Sequence, residues 1–369
     1  MSRTAYKPLP YDPTVEQPEV DEVETTAGLI TIMKQITATT TRDYGRGVRS
    51  VHAKSHGLLV ARMQVADGLP PALAQGLFAK AGSYDVVMRL STIPGDILDD
   101  NVSTPRGLAI KIIGVEGERL SGSEDDCTQD FVMVNGPAFL KSDAKSFLKS
   151  LKLLAATTDK AEGLKKAFSA VARGTEKIIE TFGGQSATVI SLGGQPETNI
   201  LGETFYSQAP MLYGQYMCKV SVVPVSPSLT VLTKAAVDLQ DKPNGLREAI
   251  VSHFNGQGGE WELRVQLCSD LDKMPIEDAS VMWPEDISPY IAVARITAAP
   301  QPAWNAEREA ALDEGLSFSP WHGLAAHRPL GSIMRVRKAA YEQMAAQRMA
   351  TNGRKSGEPK SLESLGISK

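Results

Sequence analysis

The sequence predicts an α+β fold in which eight antiparallel strands close a β-barrel surrounded by helices. Two observations predict it: two groups of four short, apolar or alternating runs bounded by Gly, Pro, Asp and Asn, and helical segments between and after them. The predicted strands are residues 57–65, 84–91, 107–113 and 130–134, then 203–207, 213–223, 261–266 and 290–296. Eight strands of this length are enough to close a barrel.

Helices are predicted from length, composition and apolar spacing. They are residues 20–41, 142–156, 160–182, a segment near 229–255, and an Ala-, Arg- and Met-rich segment at 333–349. Both chain ends are rich in Pro, Glu, Lys and Ser. We therefore expect a polar N-terminal arm at residues 1–25, a single domain at 26–350 and a polar C-terminal tail at 351–369.

Charge and cysteine content narrow the classes of function. The 369 residues have a formal net charge of -4 and a pI of about 5.8, so we expect neither nucleic acid nor an anionic membrane surface as a partner. Cys127, Cys218 and Cys268 are widely spaced, which favours neither a disulfide framework nor a zinc site. The chain begins without an apolar leader and contains no run of 18 apolar residues. We expect a cytoplasmic protein without membrane insertion, and export in the folded state stays open.

Two local patterns have an ordinary and a functional interpretation. His52 stands near Arg49 at the head of a predicted strand, where a histidine is either a general base or a hydrogen-bonded structural residue. Arg337 and Tyr341 are four residues apart on one face of the last predicted helix, as in many surface pairs. Their spacing alone predicts no site.

The order of several segments, however, resembles the haem catalase superfamily over most of residues 40–350. Val48-Arg-Ser-Val-His52-Ala-Lys is similar to the family's distal segment, and Val87-Met-Arg89-Leu-Ser91-Thr and Thr104-Pro-Arg106-Gly-Leu-Ala are similar to two of its strands. Phe318-Ser-Pro320 then precedes an Arg-x-x-x-Tyr helix, Arg337 to Tyr341, with Arg348 seven residues beyond the tyrosine. The resemblance implies a barrel of catalase type that binds haem b.

The resemblance also implies roles for individual residues. Tyr341 would be the proximal iron ligand, as tyrosine is in catalase. Arg337, one helical turn away, would favour the phenolate. His52 would transfer a proton between the two peroxide oxygens, and Ser91 would fix its tautomer. The remaining cofactor contacts would be the propionate-binding Arg49, Arg89 and Arg348, and the haem-facing Val51 and Phe139, with Leu140 as the alternative to Phe139.

One departure from the family bears on activity. Catalases have an Asn in the distal pocket. In the matching stretch of this chain, Cys127, Thr128 or Gln129 occupies that position, and we assign the catalytic role to Thr128. An amide beside the distal histidine helps to orient a second peroxide. We therefore expect a peroxidase that reduces hydrogen peroxide or small organic hydroperoxides, with weak catalase activity. An efficient catalase and a fatty-acid hydroperoxide isomerase or lyase are the alternatives.

The length of the chain resembles the short, peroxidase-like branch of the family. Allene oxide synthases of the family have Thr before the distal histidine, whereas this chain has Val51, which favours peroxide chemistry over lipid rearrangement. An unidentified electron donor and a homodimer are expected as partners. His322 and His327 form a second polar cluster, for which hydrogen bonding within a loop is favoured over metal ligation.

Overall fold

The strands form one antiparallel sheet. The computed structural model describes residues 7–155, 195–355 and 357–367. Its strands are β1 Ser55–Val65, β2 Ser83–Thr92, β3 Arg106–Ile113, β4 Thr128–Val134, β5 Phe205–Tyr206, β6 Met211–Tyr213, β7 Tyr216–Pro224, β8 Gly259–Leu267 and β9 Ile291–Ala298. Their order in the sheet is β5-β4-β3-β2-β1-β9-β8-β7-β6. The strands β1 to β4, and likewise β7 to β9, each pair antiparallel with the next strand in the sequence, as in a meander.

The short strand β5 closes this sheet into a barrel. Val134 of β4 pairs with Tyr206, and the two residues of β5 pair with Val222 and Ser221 of β7. Eight strands complete the ring, and β6 is added as a hairpin on β7. The predicted eight-stranded antiparallel barrel of an α+β fold is therefore confirmed. Closure leaves no free sheet edge in the ring itself.

Helices pack against the outside of the barrel. They are α1 Glu22–Tyr44, α2 Ala144–Ala155, α3 Pro227–Thr230, α4 Gly245–Phe254, α5 Ala306–Arg308 and α6 Ser332–Thr351, and α5 continues into a π-helical turn, Glu309–Glu314. The helices α1, α2 and α6 share a buried apolar cluster that includes Leu29, Met33, Leu151, Ala340 and Met344. Val51, in the loop before β1, packs on the edge of that cluster. This contact brings the loop and α6 together.

Two predicted elements are divided in the structure. The single strand expected at residues 213–223 is two strands, because Gly214 adopts a φ of 60° and turns the chain between β6 and β7. The helix expected near 229–255 is also two, α3 and α4. Lys234 and Asp241, both at φ 55°, lie between them and interrupt helical geometry. The predicted helix at 160–182 lies outside the described residues.

The C-terminal tail is packed on the barrel. Leu362 is 7% exposed and belongs to an apolar cluster on the outer faces of β1 and β2, with Leu58, Val87 and Leu312. Glu358 reaches the buried Lys111 on β3. The N-terminal arm is also bound, since the Leu9 N–H donates to the Cys268 carbonyl at 2.8 Å. No helix within the described ranges has the length and apolar character needed to cross a membrane.

Candidate active site

A cavity lies between the barrel wall and the helices α1 and α6. It contains about 710 Å³ of space that no atom fills, a volume that extends into its open mouth. The barrel contributes the ends of β2, β3 and β4, and the loop before β1 contributes residues 49–52. Its lining includes Arg49, Val51, His52, Arg89, Ser91, Tyr341 and Arg348. Seven of the residues singled out in the sequence thus meet at one cavity.

His52 is held at the cavity wall from several directions. Its backbone adopts φ 53°, a left-handed conformation that is uncommon for a residue with a side chain. The His52 N–H donates to the Ile93 carbonyl at 2.6 Å, and its carbonyl accepts from Arg89 Nη2 at 2.8 Å. The ring Nδ1 lies 3.0 Å from Ser91 Oγ. The pairing expected between His52 and Ser91 is therefore present geometrically.

The environment keeps the imidazole of His52 neutral. Burial lowers its pKa to about 3, and the charges of Arg89, Arg337 and Arg49 add to this effect. Both influences disfavour the charged form of a histidine. At neutral pH the ring therefore has one N–H donor and one lone pair. If Ser91 accepts from Nδ1–H, the lone pair is on Nε2.

Glycine at position 107 makes room for this ring. A Cβ on Gly107 would lie 2.4 Å from His52 Cε1 and 2.6 Å from Nδ1, closer than such atoms approach. Gly107 is the register partner of Ser91 across β2 and β3. The barrel wall is therefore shaped to the histidine at this point.

Three arginines of the lining, Arg49, Arg89 and Arg348, form a cluster with Asp313. Asp313 Oδ1 accepts from Arg89 Nε at 2.8 Å and also from Arg49 Nη1. Arg49 Nη2 and Arg348 Nη2 donate to the Leu316 carbonyl at 2.9 and 2.8 Å. Arg348 Nη1 donates to the Glu314 carbonyl at 2.6 Å. The π-helical turn and the residues after it therefore hold all three guanidinium groups.

The arginines repel one another. Burial lowers the pKa of Arg49 well below its usual value, and the charges of Arg89 and Arg348 lower it further. Burial similarly lowers the pKa of Arg348 to about 10. A guanidinium nevertheless stays charged in proteins. Three positive charges and the one negative charge of Asp313 leave the cluster with a net charge of +2.

Two observations indicate that the charge and the hydrogen-bond donors of this cluster are compatible with haem b. Haem b has two propionate carboxylates, which would neutralise the net charge of +2, and planar guanidinium forks suit carboxylates. Ser317 also lines the cavity, is 9% exposed, and has a buried Oγ without a hydrogen-bond partner among the described residues. A buried hydroxyl without a partner is unusual. It is satisfied if a ligand carboxylate accepts from it.

The helix α6 contributes the remaining wall. Ala340, Tyr341, Met344 and Arg348 all line the cavity, at spacings of three, four and seven residues that share one helical face. Arg337 lies one turn earlier but donates to Met334 Sδ at 3.5 Å, and its guanidinium lies 5.5 Å from the Phe139 ring. Among the described hydrogen bonds, none joins Arg337 to Tyr341. The expected role of Arg337 stays a prediction.

Two further residues from the sequence lie away from the cavity lining. Thr128 is buried and donates from Oγ1 to Glu358 Oε2 at 2.8 Å. Phe139 packs edge-on against Phe147, with ring centroids 5.1 Å apart. The wall contributed by β4 consists of Val132 and Met133. A catalytic role for Thr128 and a haem contact for Phe139 stay predictions.

The other candidates for the distal amide position point elsewhere as well. Cys127 Sγ lies 3.7 Å from the Pro359 carbonyl, and the Gln129 side chain accepts from the Leu324 N–H at 2.9 Å. None of the cavity-lining side chains on β4 is therefore an amide. That part of the wall is apolar.

A second polar cluster surrounds Lys111 on the outer side of the barrel. Lys111 Nζ bonds both oxygens of Asp130 at 2.8 Å and also Glu358. His322 Nδ1 lies 3.3 Å from both Asp130 and Glu358. The ligand atoms of Asp130, His322 and Glu358 are close enough together to hold a metal ion. The Lys111 ammonium, however, already provides the positive charge that pairs with the two carboxylates. His327 Nε2 accepts from the Leu77 N–H at 3.0 Å, so both histidines make hydrogen bonds within the fold.

Sequence reasoning missed several residues of the site. Met344 could have been recognised, because it is three residues after Tyr341 on the same helical face. Asp313 had no comparable signal, since its partners Arg89 and Arg49 are 224 and 264 residues away. The same is true of Ser317, which is an ordinary serine in the sequence.

Solved structures with a similar fold are catalases. A fungal catalase aligns with a TM-score of 0.59 and 16% identity over 85% of this chain and 62% of that chain. Catalase A from Saccharomyces cerevisiae gives 0.58 and 18% over 85% and 63%, and a bacterial catalase gives 0.55 and 14% over 85% and 59%. The chain thus has the catalase fold and spans about three fifths of the length of these catalases. No protein-family model and no curated protein matches the chain.

Proposed function

We propose that this chain is a haem-dependent peroxidase that reduces hydrogen peroxide or small organic hydroperoxides and has weak catalase activity. The observation on which the proposal depends is the cavity itself. A neutral His52 paired with Ser91, the Tyr341 phenol and the three arginines Arg49, Arg89 and Arg348 line one cavity. Perturbed titratable groups gathered in a cavity are typical of active sites.

In this proposal the residues of the cavity hold haem b. Tyr341 is the iron ligand, Arg49, Arg89 and Arg348 bind the propionates, and Val51 packs against the macrocycle. The net charge of +2 on the arginine cluster and the unpartnered Ser317 hydroxyl support that arrangement. When bound, haem supplies the electron-transfer chemistry that breaks the O–O bond of a peroxide.

His52 moves the proton in this reaction. Reduction of a hydroperoxide to an alcohol and water consumes two electrons and two protons, and the electrons come from an external donor. A neutral imidazole takes a proton from one peroxide oxygen and returns it to the other, which leaves as the alcohol, or as water when the substrate is hydrogen peroxide. The oxygen left behind is reduced to water by the two electrons of the donor and two protons. Ser91 fixes the ring orientation and tautomer through Nδ1, 3.0 Å away.

The apolar wall on β4 supports peroxidase activity over efficient disproportionation of hydrogen peroxide. Val132 and Met133 line the cavity on that strand, and neither orients a polar second substrate. Disproportionation needs a second peroxide held in a productive position, whereas an organic donor can deliver electrons without such positioning. Efficient catalase and lipid-hydroperoxide isomerase activities are alternative outcomes of the product analysis.

The experiment combines haem reconstitution with product analysis. We expect the protein to take up haem with a ferric spectrum of tyrosinate type, which Tyr341→Phe changes grossly and the control Tyr216→Phe leaves unchanged. Tyr216 lies on the hairpin of β6 and β7 and is absent from the cavity lining. An unchanged Tyr341→Phe spectrum contradicts the ligand assignment.

Substrate class is tested separately with hydrogen peroxide, a peroxidase dye and a fatty-acid hydroperoxide. We expect dye oxidation to exceed oxygen release, and His52→Ala to suppress both. Rearranged lipid products, or oxygen release as the main reaction, would contradict the peroxidase proposal. Failure to bind haem after supplementation would contradict haem chemistry altogether.

A further inference from the structure

Among the described hydrogen bonds, Asp313 is the acidic side chain that joins two arginines of the cavity, Arg49 and Arg89. It lies on the π-helical turn Glu309–Glu314, and it is itself absent from the cavity lining, whereas Arg49, Arg89 and Arg348 belong to that lining. We propose that Asp313 sets the charge that the cavity presents to a ligand's carboxylates at +2, which matches a tetrapyrrole with two free propionates. This inference rests on the haem function proposed above.

The charge on Asp313 is stable in this environment. Burial raises the pKa of Asp313, but the charges of Arg89 and Arg49 more than reverse that effect, so the pKa lies below its usual value. A hydrogen bond from the Ser55 side chain acts in the same direction. The carboxylate of Asp313 is therefore ionised at neutral pH.

The neighbouring acidic residue, Glu314, is paired differently from Asp313. Glu314 bonds the pocket arginine Arg348 only through its backbone carbonyl. Its carboxylate pairs instead with Arg46 and with Arg354, at 2.8 Å from Arg354 Nη2. Both of those arginines are absent from the cavity lining. Within the described residues, the carboxylate of Asp313 is therefore the negative charge bonded to this cluster of three guanidinium groups, and removing it leaves +3.

The position of Asp313 explains how it influences a ligand without touching it. Its Oδ1 accepts from one N–H of Arg49 and one of Arg89, and Nη2 of each arginine donates to a backbone carbonyl. Since each guanidinium has five N–H groups, others remain for a ligand. Ligand carboxylates on those donors would lie several ångströms from Asp313 in a low-dielectric site. Like charges at that distance repel appreciably. Each ligand carboxylate is therefore bound more weakly than it would be by the arginines alone.

The test counts ligand carboxylates. The protein is titrated with iron protoporphyrin, its monomethyl ester and its dimethyl ester, and binding is followed by absorbance. In the wild type each esterification weakens binding. In Asp313→Asn we expect tighter binding of the diacid and a loss per ester that is about tenfold larger, because each carboxylate no longer meets the repulsion of Asp313. This readout does not depend on turnover.

Three variants complete the design. Glu314→Gln removes a negative charge that is paired with Arg46 and Arg354, so it should change the loss per ester much less than Asp313→Asn does. Asp313→Glu keeps the charge and should also behave as the wild type. Asp313→Ser replaces the carboxylate by a smaller acceptor and repeats the test if Asp313→Asn does not fold.

The outcomes separate the inference from the function on which it rests. An unchanged loss per ester in Asp313→Asn overturns the inference, because Asp313 would then be electrostatically silent toward the ligand. A smaller loss also overturns it, because Asp313 would then act as a mechanical support for Arg49 and Arg89. If the wild type binds none of the three porphyrins, the proposed haem function fails instead.

Discussion

At the scale of single residues, His52 shows how much of the candidate site is fixed by close neighbours. Its ring contacts Ser91, its carbonyl accepts from Arg89, and its backbone adopts a left-handed conformation. Uncommon backbone conformations persist where surrounding contacts determine them, and they are frequent in active sites. Arg89 also bonds Asp313, so the histidine and the arginine cluster are connected through one guanidinium group.

Gly107→Ala tests the fit between the barrel wall and the histidine. The new Cβ would lie 2.4 Å from His52 Cε1 and 3.1 Å from Ser91 Oγ, so the ring must move and the contact with Ser91 must break. We expect peroxidase turnover to fall at least about tenfold, since catalysis depends on positioning within roughly 1 Å. Gly256→Ala, whose Cβ meets nothing within 4 Å, is the control. Full turnover in Gly107→Ala would show that His52 needs no fixed position.

The pH dependence of turnover tests the protonation state of His52. A neutral imidazole is the active form, and burial lowers the pKa of His52 to about 3. The active form therefore predominates above that value and is lost only as the pH falls through it. We expect no acid limb from this residue between pH 5 and 8 in the pH profile of kcat/KM, with folding monitored by circular dichroism. An acid limb near pH 6.5 that disappears in His52→Ala would contradict this expectation.

At the scale of elements, the sequence predicted strands better than their ends and interruptions. Alternating apolar residues indicated β1 to β4, β8 and β9, because one face of each strand is buried in the barrel. The turn at Gly214 and the break between α3 and α4 were missed, because a single glycine or a left-handed Lys or Asp leaves the local pattern unchanged. Asp313 was missed because its role arises only when distant segments meet.

Some residues of the cavity could be predicted from the sequence and others could not. His52, Ser91, Tyr341 and the arginines were identified through their order along the chain, which the barrel brings to one cavity. Thr128 was chosen by register alone, and β4 turns it toward Glu358. A shift of one residue along a strand reverses the face to which a side chain points. This explains why a register choice is a weak basis for a catalytic assignment.

The C-terminal tail contributes an element-scale prediction through Glu358. Its carboxylate is bonded to Lys111 and Thr128, and both it and Lys111 are almost entirely buried. Burial lowers the pKa of Lys111, but Asp130 and Glu358 raise it by more. Glu358→Gln removes one of these two negative charges from a buried cation, so we expect a loss of about 1–3 kcal/mol in the free energy of unfolding.

Urea denaturation measures this loss, and Lys360→Gln provides the control on the same tail. Lys360 is exposed, so its substitution should change the free energy of unfolding by less than about 0.5 kcal/mol. Equal urea midpoints for Glu358→Gln and Lys360→Gln would mean that the tail is not energetically coupled to the barrel. The Lys111 cluster would then depend on Asp130 alone.

At the scale of the whole molecule, three histidines whose pKa values are lowered in the folded protein predict how stability responds to acid. Burial lowers the pKa of His52 to about 3, that of His327 to about 4, and that of His56 well below its usual value. The unfolded chain takes up protons on these groups below about pH 6.5, whereas the folded protein does not until its lower pKa values are reached. These three groups should therefore lower the stability as the pH decreases from about 6.5 toward 4, whereas His322, whose pKa is raised beside Asp130, acts in the opposite direction.

The contribution of one histidine to the slope of stability against pH can be measured separately. Each histidine contributes up to about 1.4 kcal/mol per pH unit, so the three together contribute at most about 4 kcal/mol per unit. His327→Gln removes one titrating group and retains an acceptor for the Leu77 N–H, which His327 Nε2 accepts at 3.0 Å. Urea unfolding at several pH values should give a slope smaller by about one proton in this variant. An unchanged slope would mean that His327 is protonated in the folded protein, at the expense of its hydrogen bond to Leu77.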